Sequence, residues 1–222
     1  MLSLWVALVF LLSLATAKEP CPGGREKCPD YEKLEVFHDI EIRRYDASRW
    51  AQIYAYSDEY GFMKEKAYRD LHEYFHGNNY ESQRMSLTTP LLFTFDPADP
   101  YKEFSRRGQM FLNSRSESGV HIPAPRYPVG IIEMDPAYFY IRKINQTASF
   151  RDIWREAHLM MADLDYYRQP MDMSRILLAL YDYPKPIEGP TTYKGSNEIW
   201  IEKAAFTPGD GHSDQLTAMK MA

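Results

Sequence analysis

Only two cysteines occur among the 222 residues, Cys21 and Cys28, so a cysteine cluster for a structural metal cannot be assembled from this chain. Blocks of lysine and arginine that track phosphates are also missing, and the net charge is −5, which argues against a nucleic-acid partner. Gly-rich phosphate loops and dinucleotide fingerprints are absent. A G-x-S-x-G elbow is absent too, and nothing in spacing alone nominates a nucleophile. After the N-terminus no second apolar run reaches spanning length.

What is present begins with an apolar run from Leu2 to Leu14, followed by Ala15-Thr16-Ala17 ahead of Lys18. The run is short for a bilayer, and small-x-small is a cleavage pattern, so residues 1–17 read as a secretory signal peptide. The expectation is an exported, extracellular protein that is soluble after cleavage. Export makes one small disulfide between Cys21 and Cys28 the natural state of both sulfurs, within a tail over 18–30. Asn145-Gln146-Thr147 is an acceptor sequon for N-glycosylation.

Seventeen tyrosines and eleven phenylalanines are enough to pack a β-rich core. Alternation predicts strands over Tyr31–Phe37, Leu91–Phe95, Gln109–Leu112, Val129–Met134, Tyr138–Ile144 and Glu198–Glu202. The nearly continuous apolar run Ile176–Tyr181 predicts a central strand. Ile40 to Tyr56 reads as a hairpin: Ile40, Ile42 and Arg44 alternate with Glu41, Arg43 and Tyr45, Asp46-Ala47-Ser48 supplies a turn, and Trp50, Gln52, Tyr54 and Tyr56 share one face of the return. Arg44, on the face of two isoleucines, must snorkel, find a carboxylate or face a cavity that holds an anion.

Two segments have helical spacing instead. Between Asp58 and His76 the apolar positions are Phe62, Ala67, Leu71, Tyr74 and Phe75, with Gly77 as the stop. From Ser149, with Asp152 completing an approximate capping box, they are Phe150, Ile153, Trp154, Ala157, Met160, Met161 and Leu164. The order strands, helix, strands occurs twice, over about 31–113 and 129–203, while 204–222 has little apolar periodicity and reads as a disordered tail. This predicts an α+β domain in which a sheet closed or nearly closed on itself carries two outer helices. His72 and His76, four apart, fall on one helix face with a spacing that suits a shared metal ion or an axial ligand, although an imidazole in a last turn also has a purely structural use.

Five motifs in order carry a resemblance: Glu41-Ile42-Arg43-Arg44-Tyr45 with Trp50, Gly77-Asn78-Asn79, Met85-Ser86-Leu87-Thr88-Thr89-Pro90, Tyr181-Asp182-Tyr183-Pro184 and Asn197-Glu198-Ile199-Trp200. Together, over roughly Tyr31 to Lys203, they resemble the SOUL/heme-binding protein family. The resemblance implies a distorted β-barrel of two pseudo-symmetric halves, each with a helix packed on the sheet. It also implies non-enzymatic binding of heme or another porphyrin in an apolar cleft beside the first helix. On this chain that cleft draws on Phe62, Met63 and Leu71 as apolar wall, with Lys66 and Arg69 for the propionates. Some members carry histidine where this chain has Arg44, so the resemblance leaves Arg44 to pair with a propionate and His72 or His76 to reach the iron. A secreted scavenger or carrier follows; the alternative is a secreted protein-interaction module that keeps the barrel and has lost the pigment.

Overall fold

The computed structural model describes residues 21–22, 28–54, 62–94, 107–112, 121–144, 148–181, 192–193 and 196–204. In chain order the elements are β1 (Tyr31–Phe37), β2 (Ile40–Tyr45), β3 (Ser48–Tyr54), α1 (Phe62–Phe75), β4 (Leu91–Thr94), β5 (Arg107–Leu112), β6 (Val129–Met134), β7 (Ala137–Ile144), β8 (Ala148–Ser149), α2 (Phe150–Tyr166), β9 (Met171–Leu180), β10 (Thr192–Tyr193) and β11 (Asn197–Lys203). Among the described residues nine strands form one antiparallel sheet in the order β1-β2-β7-β11-β9-β4-β5-β3-β6, and β10 pairs with β8 separately.

The expected hairpin of β2 with β3 does not form. Instead β2 lies between β1 and β7, and β3 between β5 and β6. The alternation was legible, but period 2 looks the same in a hairpin and in two strands joined by a corner. The hairpin lies one element earlier, where β1 turns into β2 through His38 (φ 53°) and Asp39.

That corner has a geometric consequence. Asp46 and Ala47 alone join β2 to β3, so the Cα atoms of Tyr45 and Ser48 are at most about 11 Å apart. Six ladder steps separate the two strands, about 29 Å in a flat sheet. The sheet must therefore roll up. It remains open in its hydrogen bonding: among the described residues no ladder joins β1 to β6.

Rolling gives two cores. On one face the helices pack, with Ala67, Leu71, Tyr74 and Phe75 of α1 and Ile153, Ala157, Met160, Met161 and Leu164 of α2 buried against Ile40, Ile42, Ala51, Ile53, Phe93, Tyr140, Ile176, Leu178 and Ile199. On the other face Tyr45, Trp50, Leu92, Phe139, Ile141, Leu177, Ala179, Tyr181 and Trp200 pack on one another. No helix covers this second cluster among the described residues; the curl itself excludes water. Each large apolar side chain so buried contributes about 1.5–3 kcal/mol. β9 is central as expected, flanked by β11 and β4 and buried on both faces.

With β1 set aside, the other eight strands run alike outward from the β4–β9 ladder. β2 pairs with β7 as β6 pairs with β3, β7–β11–β9 runs as β3–β5–β4, and the antiparallel β4–β9 ladder sits at the centre.

Both helices end as their sequences require. Ser149 caps α2, its Oγ accepting from Asp152 N (3.2 Å) while Asp152 Oδ2 accepts from Ser149 N (3.0 Å). α1 stops at Gly77, whose φ of 106° only glycine adopts without strain. Asn79, fully buried, then donates to Tyr74 O and Gln83 O and accepts from Gln83 N, folding the following loop back onto the helix end. Replacing Ser149 with alanine should cost about 1 kcal/mol, read as a lower urea midpoint at unchanged slope.

Candidate functional site

Residues 68, 72 and 76 are each four apart, so Tyr68, His72 and His76 stand in one column along α1 and its end. The two imidazoles stack with centroids 3.9 Å apart and planes 24° from parallel, and Tyr68 lies 5.5 Å from His72 on the other side. His76 Nδ1 is 2.8 Å from the His72 carbonyl oxygen. A carbonyl only accepts, so Nδ1 carries the proton and Nε2 of neutral His76 carries the free lone pair. Partial burial, and then the adjacent His76, hold the His72 imidazole below its usual pKa, against the pull of Glu73.

The other residues expected beside this helix separate. Arg69 is exposed. Leu71 is fully buried in the core beneath α1, where it anchors the helix and touches no surface ligand. Phe62, Met63 and Lys66 lie on the first turns of α1, and their side chains fall outside the described residues. Arg44 sits on β2, 41% exposed, with Glu32 at 3.9 Å and Asp46 at 3.6 Å. Of the three fates open to it, the carboxylate one applies. α1 packs over β3, β5 and β6. Cys21 and Cys28 form a disulfide with Cα atoms 5.8 Å apart. Asn145 and the tail beyond 204 fall outside the described residues.

The arginine that sequence reasoning passed over is Arg43. It is fully buried on the face without helices, and all five of its N–H donors are used. Nε and Nη2 donate to Glu41 Oε2 (2.8 and 2.6 Å), Nη2 and Nη1 to the two Glu198 oxygens (2.8 and 3.1 Å), and Nη1 to Tyr45 Oη (3.2 Å). Glu198 Oε2 also accepts from Tyr181 Oη and Trp200 Nε1, each at 2.9 Å. Tyr31 lies over the guanidinium at 4.5 Å, and Lys143 and Lys33 donate to Glu41 Oε1 at the rim. Burial alone would raise the Glu41 carboxyl, but hydrogen bonds from Lys143 and Arg43 and the charge of both outweigh it and hold its pKa at about 2. Glu41 and Arg43, opposite in charge and two apart on one strand face, were the available signal; a third partner from Glu198 could not be foreseen.

Glu41, Arg43, Tyr45, Tyr181, Glu198 and Trp200 come from three of the five motifs, and here they meet in space. The profile of the SOUL heme-binding protein family matches residues 26–202. The chain belongs to that family. Its SOUL span therefore contains the buried network and the histidine column alike. No curated protein matches the sequence. Similar folds occur in a hydrolase from Listeria innocua (8% identity, TM-score 0.48, covering 75% of this chain and 92% of that one) and in a bacterial transcription regulation protein from Staphylococcus aureus (9%, 0.42, 75% and 98%). A protein bound to tetraphenylphosphonium is similar as well (9% identity, TM-score 0.44, covering 80% and 99%).

Removing the Arg43 side chain leaves two buried carboxylates without their shared cation, so Arg43→Ala should cost about 3–5 kcal/mol, whereas Arg44→Ala should cost less than about 1 kcal/mol. Denaturant midpoints of the two variants decide this. The depressed Glu41 gives a pH signature too. Its stabilisation is present above the ordinary carboxyl value of 4.5 and is lost as pH falls toward about 2. Urea midpoints measured from pH 5 to pH 2 should fall steeply in the native chain and less so in Glu41→Gln.

Proposed function

We propose that this SOUL-family chain is a secreted, non-enzymatic binder of heme or a related tetrapyrrole, acting as an extracellular scavenger or carrier. The observation that carries the reading is the family match over 26–202. The donor chemistry on α1 fits it. The free Nε2 of His76 is an iron ligand available without the histidine that some members carry at the Arg44 position, and exposed Arg69, with Lys66 nearby in sequence, supplies cations for propionates. Phe62 and Met63 are the apolar residues proposed for the cleft wall. Burying a macrocycle adds about 25 cal/mol for each Å² of apolar surface removed from water, so affinity need not rest on the iron bond alone.

The same reading takes the matching strand order of the two halves as pseudo-symmetry and the rolled sheet as a distorted barrel. It places the signal at 1–17, the disulfide tail at 18–30, the domain at 31–203 and a tail from 204. A second reading has one observation behind it: Arg44, in the position of the family histidine, is occupied with Glu32 and Asp46. A chain that had lost the pigment and kept the barrel for protein contacts would look the same there.

Hemin titration of the mature chain, followed at the Soret band, separates the two. The expected result is saturation at one hemin per chain, weakened in His76→Ala and little changed in Arg44→Ala. No saturable shift in the native chain, with one gained in Arg44→His, would make the interaction module the better reading. Export is tested separately: chain made in a secreting eukaryotic cell should begin at Lys18 and lose mass on N-glycosidase treatment, and Asn145→Gln should abolish that loss.

A further inference from the structure

We infer that His72 and His76 form a chelating site for a divalent transition-metal ion, copper(II) above all, which the heme-free chain binds through two imidazole nitrogens. The inference does not rest on the tetrapyrrole reading, because it needs neither an apolar cleft nor a porphyrin.

Geometry carries it. Metal–imidazole bonds are about 2.0–2.1 Å, so one ion can bridge nitrogens up to about 4.2 Å apart. The ring centroids stand 3.9 Å apart on consecutive turns, so both imidazoles come within reach of one ion once they turn out of their stack and the in-plane lone pair of one nitrogen on each points at it. The donor set is prepared as well. The His76 Nδ1–H bond to the His72 carbonyl fixes the tautomer that leaves Nε2 free and restrains the ring, as supporting bonds do for metal-binding histidines.

Position adds to this. The pair sits at the C-terminal end of α1, where the helix carries partial negative charge and favours a cation. Imidazole donors select copper, nickel and zinc over magnesium and calcium, which take oxygen, and among these copper(II) binds nitrogen most strongly. Among the described residues no third histidine, cysteine or carboxylate completes the group, so the remaining positions fall to water or to a donor from an incoming molecule.

The test is a titration of copper(II) into the full heme-free chain, read by electron paramagnetic resonance. The expected result is one tightly held ion coupled to two nitrogens, undisplaced by excess magnesium. His72→Ala and His76→Ala should each weaken it by at least the roughly tenfold that losing even a supporting group costs such sites, and should leave a one-nitrogen pattern. His158→Ala, on α2, should change nothing. Circular dichroism establishes that the variants are folded. A two-nitrogen signal that survives the His72→Ala/His76→Ala double variant would overturn the inference, as would the absence of any copper signal in the native chain. Hemin uptake is scored in a separate titration, so failure of one reading leaves the other intact.

Discussion

A guanidinium held between two carboxylates inside a rolled sheet is the interaction on which the other features depend. Withdrawing Arg43 from water costs several kcal/mol, and only complete use of its donors offsets that cost. Glu41 comes from its own strand and Glu198 from β11, two places along the sheet with β7 between, so the clamp spans three strands. It also fixes register. Sliding β2 by one residue would turn Arg43 toward the helices and drive Ile42 into the polar cluster. Apolar packing alone would tolerate other arrangements of these strands; the charge arrangement does not.

Much of this was readable in advance. Both helices, their apolar stripes, the Ser149–Asp152 box and the Gly77 stop followed from spacing and cap chemistry, because those are local rules. Central β9 followed from an apolar run with no polar face. The mistaken hairpin at Asp46–Ala47 shows where local rules end. Partner choice is set by how far the sheet curls, and no property of the six residues of β2 encodes that. The short strands β8 and β10 were missed for the same reason, since two residues carry no period.

The candidate site was legible in a different proportion. Helical spacing placed His72 above His76, and the structure stacks them. Leu71 belongs to the same helix but to its buried side, a distinction of about one residue in the wheel. Attention went to Arg44 because a charge beside isoleucines looks anomalous, yet the strand end lets it reach solvent and carboxylates. The true anomaly lay next door, on the opposite face. Motif residues such as Arg43, Glu198 and Asn79 are spent on building the scaffold, so the motifs that identify the family say more about its frame than about its ligand.

β11 lies inside the sheet, between β7 and β9, although it is the last of the described elements to be made. A chain emerging from the ribosome therefore passes Leu180 with the facing edges of β7 and β9 unfilled, and Arg43 waits for Glu198 with two of its five donors unmet. Its folding cannot be completed in instalments as synthesis proceeds. Long-range closure of this kind is slow and leaves strand edges open to wrong partners. A truncation that removes only β11 takes out an interior strand of the sheet, not its margin.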